Sequence, residues 1–281
     1  MLEYLPIILA LLVFSISIIM IRTNTERVGR YKAITYMYFS LSFFLLLGAV
    51  FLKLPFTFPL DLLPAYLAQV IIGSMAIIVF YKAIEQGKVS IISPLSSLYV
   101  VIVFLIGTFL LSESISQAQL IGSLTILSAS LVLAFSDVRN FKLEKGVVLL
   151  IITIFGWGYY YSFIKIFVST LGFYMGILFV EVGISVFVAL YYLAKRKDLS
   201  PPPLEDLKHL FLRGFVVFFG VLLHSLSVQN IGVVLTSGVG AAGPIVDVAL
   251  SYLFLKERLD FYKYLAIALM VIGLVVIFVF G

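Results

Sequence analysis

The 281-residue chain has no cysteine and only two histidines, His209 and His224. The first absence excludes disulfides, thiolate metal sites and cysteine nucleophiles. With no His-Glu-x-x-His pair and no Gly-x-Ser-x-Gly elbow, the zinc-hydrolase and serine-hydrolase signatures are also missing, and the chain is not expected to be an enzyme. Charge is scarce too: 12% of residues are charged, against about 25% in an ordinary soluble domain. In their place stand 63% hydrophobic residues and a mean hydropathy of +1.19. A soluble fold of this size has too little interior to hide such an excess, so the solvent for most side chains is lipid. The net charge of +5 lies in short stretches between apolar runs, as cytoplasmic loops of membrane proteins require, so nucleic acid is not an expected partner. No cofactor and no metal site is expected either.

Ten stretches are long and apolar enough to cross about 30 Å of hydrocarbon. They run over 5–21, 33–52, 62–81, 89–111, 118–135, 146–167, 171–193, 210–228, 232–255 and 261–280. The expected fold is therefore an all-α integral membrane protein with ten transmembrane helices. The first run lacks a basic leader and an Ala-x-Ala-like cleavage site, so it reads as a retained helix rather than a signal peptide. Basic residues alternate sharply between loops: 17 of the 19 fall after the odd-numbered runs, counting Arg213 among the loop after the seventh, and only Lys53 and Lys165 fall elsewhere. The positive-inside rule then makes the odd-numbered loops cytoplasmic and puts both termini outside a plasma membrane.

A pattern recurs at half the chain length. Gly87 precedes Glu113 by 26 residues, Gly232 precedes Glu257 by 25, and the two glutamates are 144 residues apart. Five segments per half is an odd number, so a duplication divides the chain into repeats over 1–137 and 138–281 that face opposite ways in the membrane. Inverted repeats are a recurring plan of secondary transporters, with substrate bound near the bilayer midplane. The competing explanation is that packed membrane helices favour small residues whatever their ancestry.

The stretches 83–94 (AIEQGKVSIISP), 111–122 (LSESISQAQLIG), 156–158 (GWG), 243–246 (GPIV) and 255–259 (LKERL) resemble the EamA family of the drug/metabolite transporter superfamily. The resemblance spans nearly the whole chain. It implies a ten-helix transporter of small metabolites built as two five-helix halves. Three departures accompany it. Val100 stands where the second half has Pro244, the first segment has no Trp-Gly pair, and the charge pattern puts outside the termini that the resemblance implies are cytoplasmic.

An ionisable group at bilayer depth costs about 2.5–3.5 kcal/mol on insertion scales, so it is expected to face a partner or a cavity. Asp247 shares a small, polar helix face with Thr236, Gly240, Gly243 and Ser251, a face suited either to close packing or to lining a cavity. Pro244 frees a carbonyl near Gly240, which makes Pro244, Gly240 and, in the first half, Pro94 candidates for a hinge or gate. Trp157, Tyr161 and Lys165 recur at helical spacing with Tyr160 beside them, presenting either an aromatic wall with a cation or an interfacial belt with a snorkelling lysine. Glu181 and His224 are candidates for carrying a coupling proton or for static pairing, Glu181 with His224 or with Lys165. In the first half the polar content is hydroxylic: Ser93, Ser96 and Ser97 either bond backbone carbonyls or face substrate. Candidate substrate contacts are thus Trp157, Tyr160, Tyr161, Asp247, Gly243, Ser93, Ser96 and Ser97, with Glu181, His224, Asp247 and Lys165 as candidate charge-coupling groups.

The function these features suggest is a secondary transporter, an exporter of a small metabolite such as an amino acid or related amphipathic compound, working by alternating access as a monomer or homodimer. The alternative is a flippase for a lipid or lipid-linked intermediate, which shares the fold and needs only a groove open to the bilayer.

Overall fold

In a computed structural model the backbone is described for residues 2–86, 89–136, 145–255 and 260–281. Gly87 and Glu257, which bound the two matched motifs, lie outside these residues, as do the loop residues Lys88, Arg139, Lys142, Lys256 and Arg258 and the side chain of Ser251. Among the described residues there are helices and no strand: α1 (Leu5–Phe51), α2 (Leu63–Gln86), α3 (Val89–Ser96), α4 (Tyr99–Phe109), α5 (Gln117–Ser136), α6 (Lys145–Ala194), α7 (Leu204–Gly240), α8 (Gly243–Leu255) and α9 (Phe261–Phe280). Lipid offers no hydrogen bonds, so a chain this apolar must satisfy its backbone within helices. Among the described residues eight helical stretches are long and apolar enough to cross a membrane. Large apolar side chains such as Phe39, Leu47, Phe155 and Leu190 point outward, as a lipid-facing surface requires.

Three of these helical spans are interrupted at a glycine whose backbone is not helical: α1 at Gly29 (φ 75°), α6 at Gly172 (φ 78°) and α7 at Gly232 (φ 78°). Only glycine adopts this positive φ without a steric penalty. At two of them the chain doubles back. A Cβ on Gly176 would lie 2.7 Å from the carbonyl of Phe167, and Ser227 Oγ meets Thr236 Oγ1 at 2.9 Å. Nine residues of straight helix would separate each of these pairs by about 13 Å.

Two further breaks are short and share a design. α3 ends at Ser96 and α4 starts at Tyr99; α7 ends at Gly240 and α8 starts at Gly243, each boundary 144 residues after its counterpart. Pro94 and Pro244 lie beside these breaks. The interrupted ladder leaves carbonyls that hydroxyl groups satisfy. Ser96 Oγ donates to Ser93 O at 2.6 Å, Ser97 Oγ to Pro94 O at 2.6 Å, and Ser130 Oγ to Ala241 O at 2.9 Å.

α1 packs along α7, α2 along α6, and α5 along α9. In the α5–α9 contact the backbones touch, because a Cβ on Gly122 would come within 2.7 Å of Gly273 O and the reverse holds for Gly273. Such close approach of small residues is how helices associate where lipid supplies no hydrophobic drive. Ion pairs join Arg27 to Asp206, Arg30 to Glu85 and Lys32 to Asp198 around the basic end of the molecule.

Candidate functional site

A cavity of about 220 Å³ lies between α1, α2, α3, α4, α6, α7 and α8. Twelve of the fourteen residues singled out from the sequence stand on its wall: Ser93, Ser96 and Ser97 at the first break; Trp157, Tyr160, Tyr161 and Glu181 on α6; His224 and Gly240 on α7; and Gly243, Pro244 and Asp247 at the second. Pro94 and Lys165 do not line it. Pro94 lies within α3 and its carbonyl accepts from Ser97.

The aromatic side chains form a continuous wall. Trp157 packs against Phe80 with ring centres 4.4 Å apart, Tyr99 against Tyr161 at 4.7 Å, and Tyr161 against His224 at 5.0 Å. These are separations at which edge and face arrangements of rings are favourable. Helical spacing placed Trp157 and Tyr161 on one stripe of α6, but Phe80 and Tyr99, which complete the wall from α2 and α4, carry no sequence signal beyond being aromatic.

Polar groups interrupt this wall at three points. Tyr160 OH donates to Glu181 Oε1 at 2.5 Å, and Gln69 Nε2 donates to Tyr160 O at 2.8 Å, so the acid is held from α6 and, behind it, α2. Ser93 Oγ donates to Asp247 Oδ2 at 3.1 Å, linking the first break to the helix beyond the second. His224 stands between the rings of Phe14 and Tyr161. One atom of each of these groups, Glu181 Oε2, Asp247 Oδ1 and His224 Nε2, is buried without a hydrogen-bond partner among the described residues. Buried polar atoms are nearly always partnered in native structures, and three of those left without a partner among the described residues belong to side chains that line this one cavity. Glu181 pairs with neither His224 nor Lys165 among the described contacts.

Lys165 does other work. Its Nζ lies 2.7 Å from Glu113 Oε1, and the Glu113 carboxylate also accepts from the N–H groups of Val233 and Val234 at 3.0 and 2.9 Å. Those donors are orphaned because α7 restarts after the turn at Gly232, and an anion at a helix N-terminus is favourable. The triad ties the end of α4 to α6 and α7.

The sequence reading missed Arg213. Placed with the loop charges because it follows Lys208 and His209, it instead lies inside α7, 3% exposed, on the cavity wall. The signal was present as spacing, since Arg213, Val217, Val221 and His224 repeat at helical intervals and all four line the cavity. Ser15, Ser17 and Tyr38 of α1 also reach the wall and were not anticipated.

Apolar helices around an internal, mixed aromatic and polar cavity define a multi-pass membrane protein. The EamA-like transporter family matches the chain twice, over residues 1–135 and 144–279, and the chain belongs to that family, within the drug/metabolite transporter superfamily. A protein known from a crystal structure has the same fold at 16% identity, with a TM-score of 0.78 over 99% of this chain and 96% of its own. No curated protein matches the sequence closely.

Proposed function

We propose that the protein is a secondary transporter that exports a small amphipathic metabolite, such as an amino acid or a related compound, across the plasma membrane by alternating access. The observation that carries this reading is the cavity: an aromatic wall broken by Asp247, Glu181 and His224, each with a buried, unpartnered atom. Aromatic faces take up an apolar body, and the carboxylates take up a donor such as an amine. Trp157, Tyr160, Tyr161, Asp247, Gly243, Ser93, Ser96 and Ser97 contact the substrate, while Glu181, His224 and Asp247 supply the groups through which a proton is coupled to its movement.

Alternating access rests on an arrangement of ten membrane segments in two inverted repeats, 1–137 and 138–281. The eight apolar stretches already divide α1 in two, and counting α6 and α7 as turning back at Gly172 and Gly232 brings the number of crossings to ten. The offset supports the duplication: Gly172 follows Gly29 by 143 residues, and the second helix break follows the first by 144. Pro94, Pro244 and Gly240 sit where the breaks allow each half to rock. The loop charges put both termini outside, and the unit is a monomer or homodimer. Epitope tags on each terminus of the intact protein test the orientation, and a cytoplasmic C-terminus overturns it.

Reconstitution into liposomes and measurement of flux for a panel of amino acids, amines and nucleobases tests the function itself. Flux of at least one panel member is expected, reduced about tenfold or more by Asp247→Ala combined with Trp157→Ala. Absence of flux across the panel, or flux indifferent to both substitutions, contradicts the reading.

A further inference from the structure

Arg213 is a buried cation that the mechanism above leaves without a task. Its Nε donates to Ser17 Oγ of α1 at 3.1 Å, Nη1 donates to Tyr81 OH of α2, and the guanidinium lies over the Tyr81 ring at 5.5 Å. Nη2 has no acceptor among the described residues. No carboxylate pairs with Arg213 among them either: the described ion pairs use Asp206, Glu85, Asp198, Glu113 and Glu205, and Asp247 and Glu181 bond to Ser93 and Tyr160 instead. A charge taken out of water without a counter-ion is strongly disfavoured unless something compensates it. The two neutral hydroxyls compensate only part of the guanidinium, and they fix its plane, as second contacts do for a group that must present the rest of its fork to a ligand.

Resting on the transport reading above, we propose that Arg213 is the anion-binding residue of the cavity and that the substrate carries a carboxylate. That group accepts from the free side of the guanidinium, where paired N–H donors match the two oxygens of a carboxylate. Along α7, His224 lies eleven residues further on, about 16 Å away at 1.5 Å per residue, with Val217 and Val221 between them. The cavity lining therefore carries a cation and the Tyr161–His224 ring pair about three turns of α7 apart, with apolar Val217 and Val221 between them. An acid with an apolar or aromatic body fits that polarity. An amine on the same molecule is an additional feature met by Asp247 or Glu181, and its contribution is separable from that of the acid.

The chain contains a single tryptophan, Trp157, and it stands on the cavity wall, so ligand entry is read from its fluorescence in the purified intact protein. Four probes separate the charges: L-phenylalanine, L-phenylalaninamide, 3-phenylpropionate and 3-phenylpropanamide. Each acid is expected to bind about tenfold or more tighter than its amide, because a charge-assisted bidentate contact is lost with the carboxylate. In Arg213→Gln the acid-to-amide ratio falls to within about twofold while amide affinity is retained, a change that loss of a purely structural tie between α1, α2 and α7 does not produce. Arg213→Lys keeps part of the ratio, and should the glutamine variant not fold, the wild-type ratio and the lysine variant decide. Equal affinity for acid and amide in the wild type, or an unchanged ratio in the variants, overturns this inference alone. Indifference of Trp157 to all four probes overturns it together with the transport reading.

Discussion

The two helix breaks are alike in backbone and unlike in chemistry. Each interrupts a helix for two residues, each has a proline nearby, and the boundaries of one repeat those of the other after 144 residues. At the first break the side chains facing the cavity are the hydroxyls of Ser93, Ser96 and Ser97; at the second they are glycine, proline and, one turn beyond, the carboxylate of Asp247. The backbone geometry is constrained at both breaks because every carbonyl freed inside a membrane needs a donor. The side chains that project into the cavity differ: the second half supplies the acids, Glu181 and Asp247, and the first supplies hydroxyls and part of the aromatic wall. The halves meet directly in the Ser93–Asp247 hydrogen bond.

The difference is sharpest at that bond. Asp247→Ala removes a buried charge and is expected to lower transport by about tenfold to a hundredfold, whereas Ser93→Ala removes one neutral donor, about 1–2 kcal/mol at most and a few-fold effect. Initial flux rates in proteoliposomes compare the two, and equal losses would mean that the pair acts as one structural tie. Glu113→Ala is next in size. It strips the N–H groups of Val233 and Val234 of their acceptor and leaves Lys165 unpaired, and loss of such a cap costs about 1–2 kcal/mol. Melting in detergent should show a clear drop for Glu113→Ala and a smaller one for the partly exposed Lys165→Ala.

The turning glycines offer a finer comparison. At Gly232 an added Cβ would lie 2.7–2.8 Å from the Glu113 carboxylate, while at Gly29 it meets nothing within 4 Å. Both positions carry positive φ, so alanine costs about 1–3 kcal/mol of strain at either. Gly232→Ala should be the more damaging of the two in thermal melting, because it also displaces the cap. The smallest effect is expected where Lys32 of the first half meets the 198–200 segment of the second. Hydrogen bonds from Lys32 and from Ser200 hold the Asp198 carboxyl below the usual carboxylate range. A depressed acid stabilises the fold above its unfolded pKa and ceases to do so as pH falls through its folded value. Melting curves taken from about pH 7 down to about pH 3 should therefore show slightly less acid loss in Asp198→Asn than in the wild type.

Much of this was legible in the residues because membrane helices are written in long apolar runs and interruptions to them are conspicuous. Asp247, Glu181 and His224 stood out against hydrocarbon, and the spacing of Trp157 and Tyr161 placed them on one face. Arg213 was hidden by its neighbours: beside Lys208 and His209 it looked like loop charge, and only the stripe it shares with Val217, Val221 and His224 gives it away. Lys165, a cation one turn past an aromatic pair, stands off the cavity wall and pairs with Glu113, distant in sequence. Long-range partners of that kind leave no local trace. The turns at Gly172 and Gly232 fall at glycines between apolar runs, but which of the glycines take the positive φ that turns the chain is not written in their neighbours.

The absence of cysteine makes the chain a ready background for the most direct test of alternating access. A single Ser97→Cys, on the cavity wall at the first break, provides one thiol for membrane-impermeant maleimides added from either face. The account expects labelling from both faces, with saturating substrate shifting the ratio between them. Labelling from one face only, in a proportion that no transported compound alters, would contradict it.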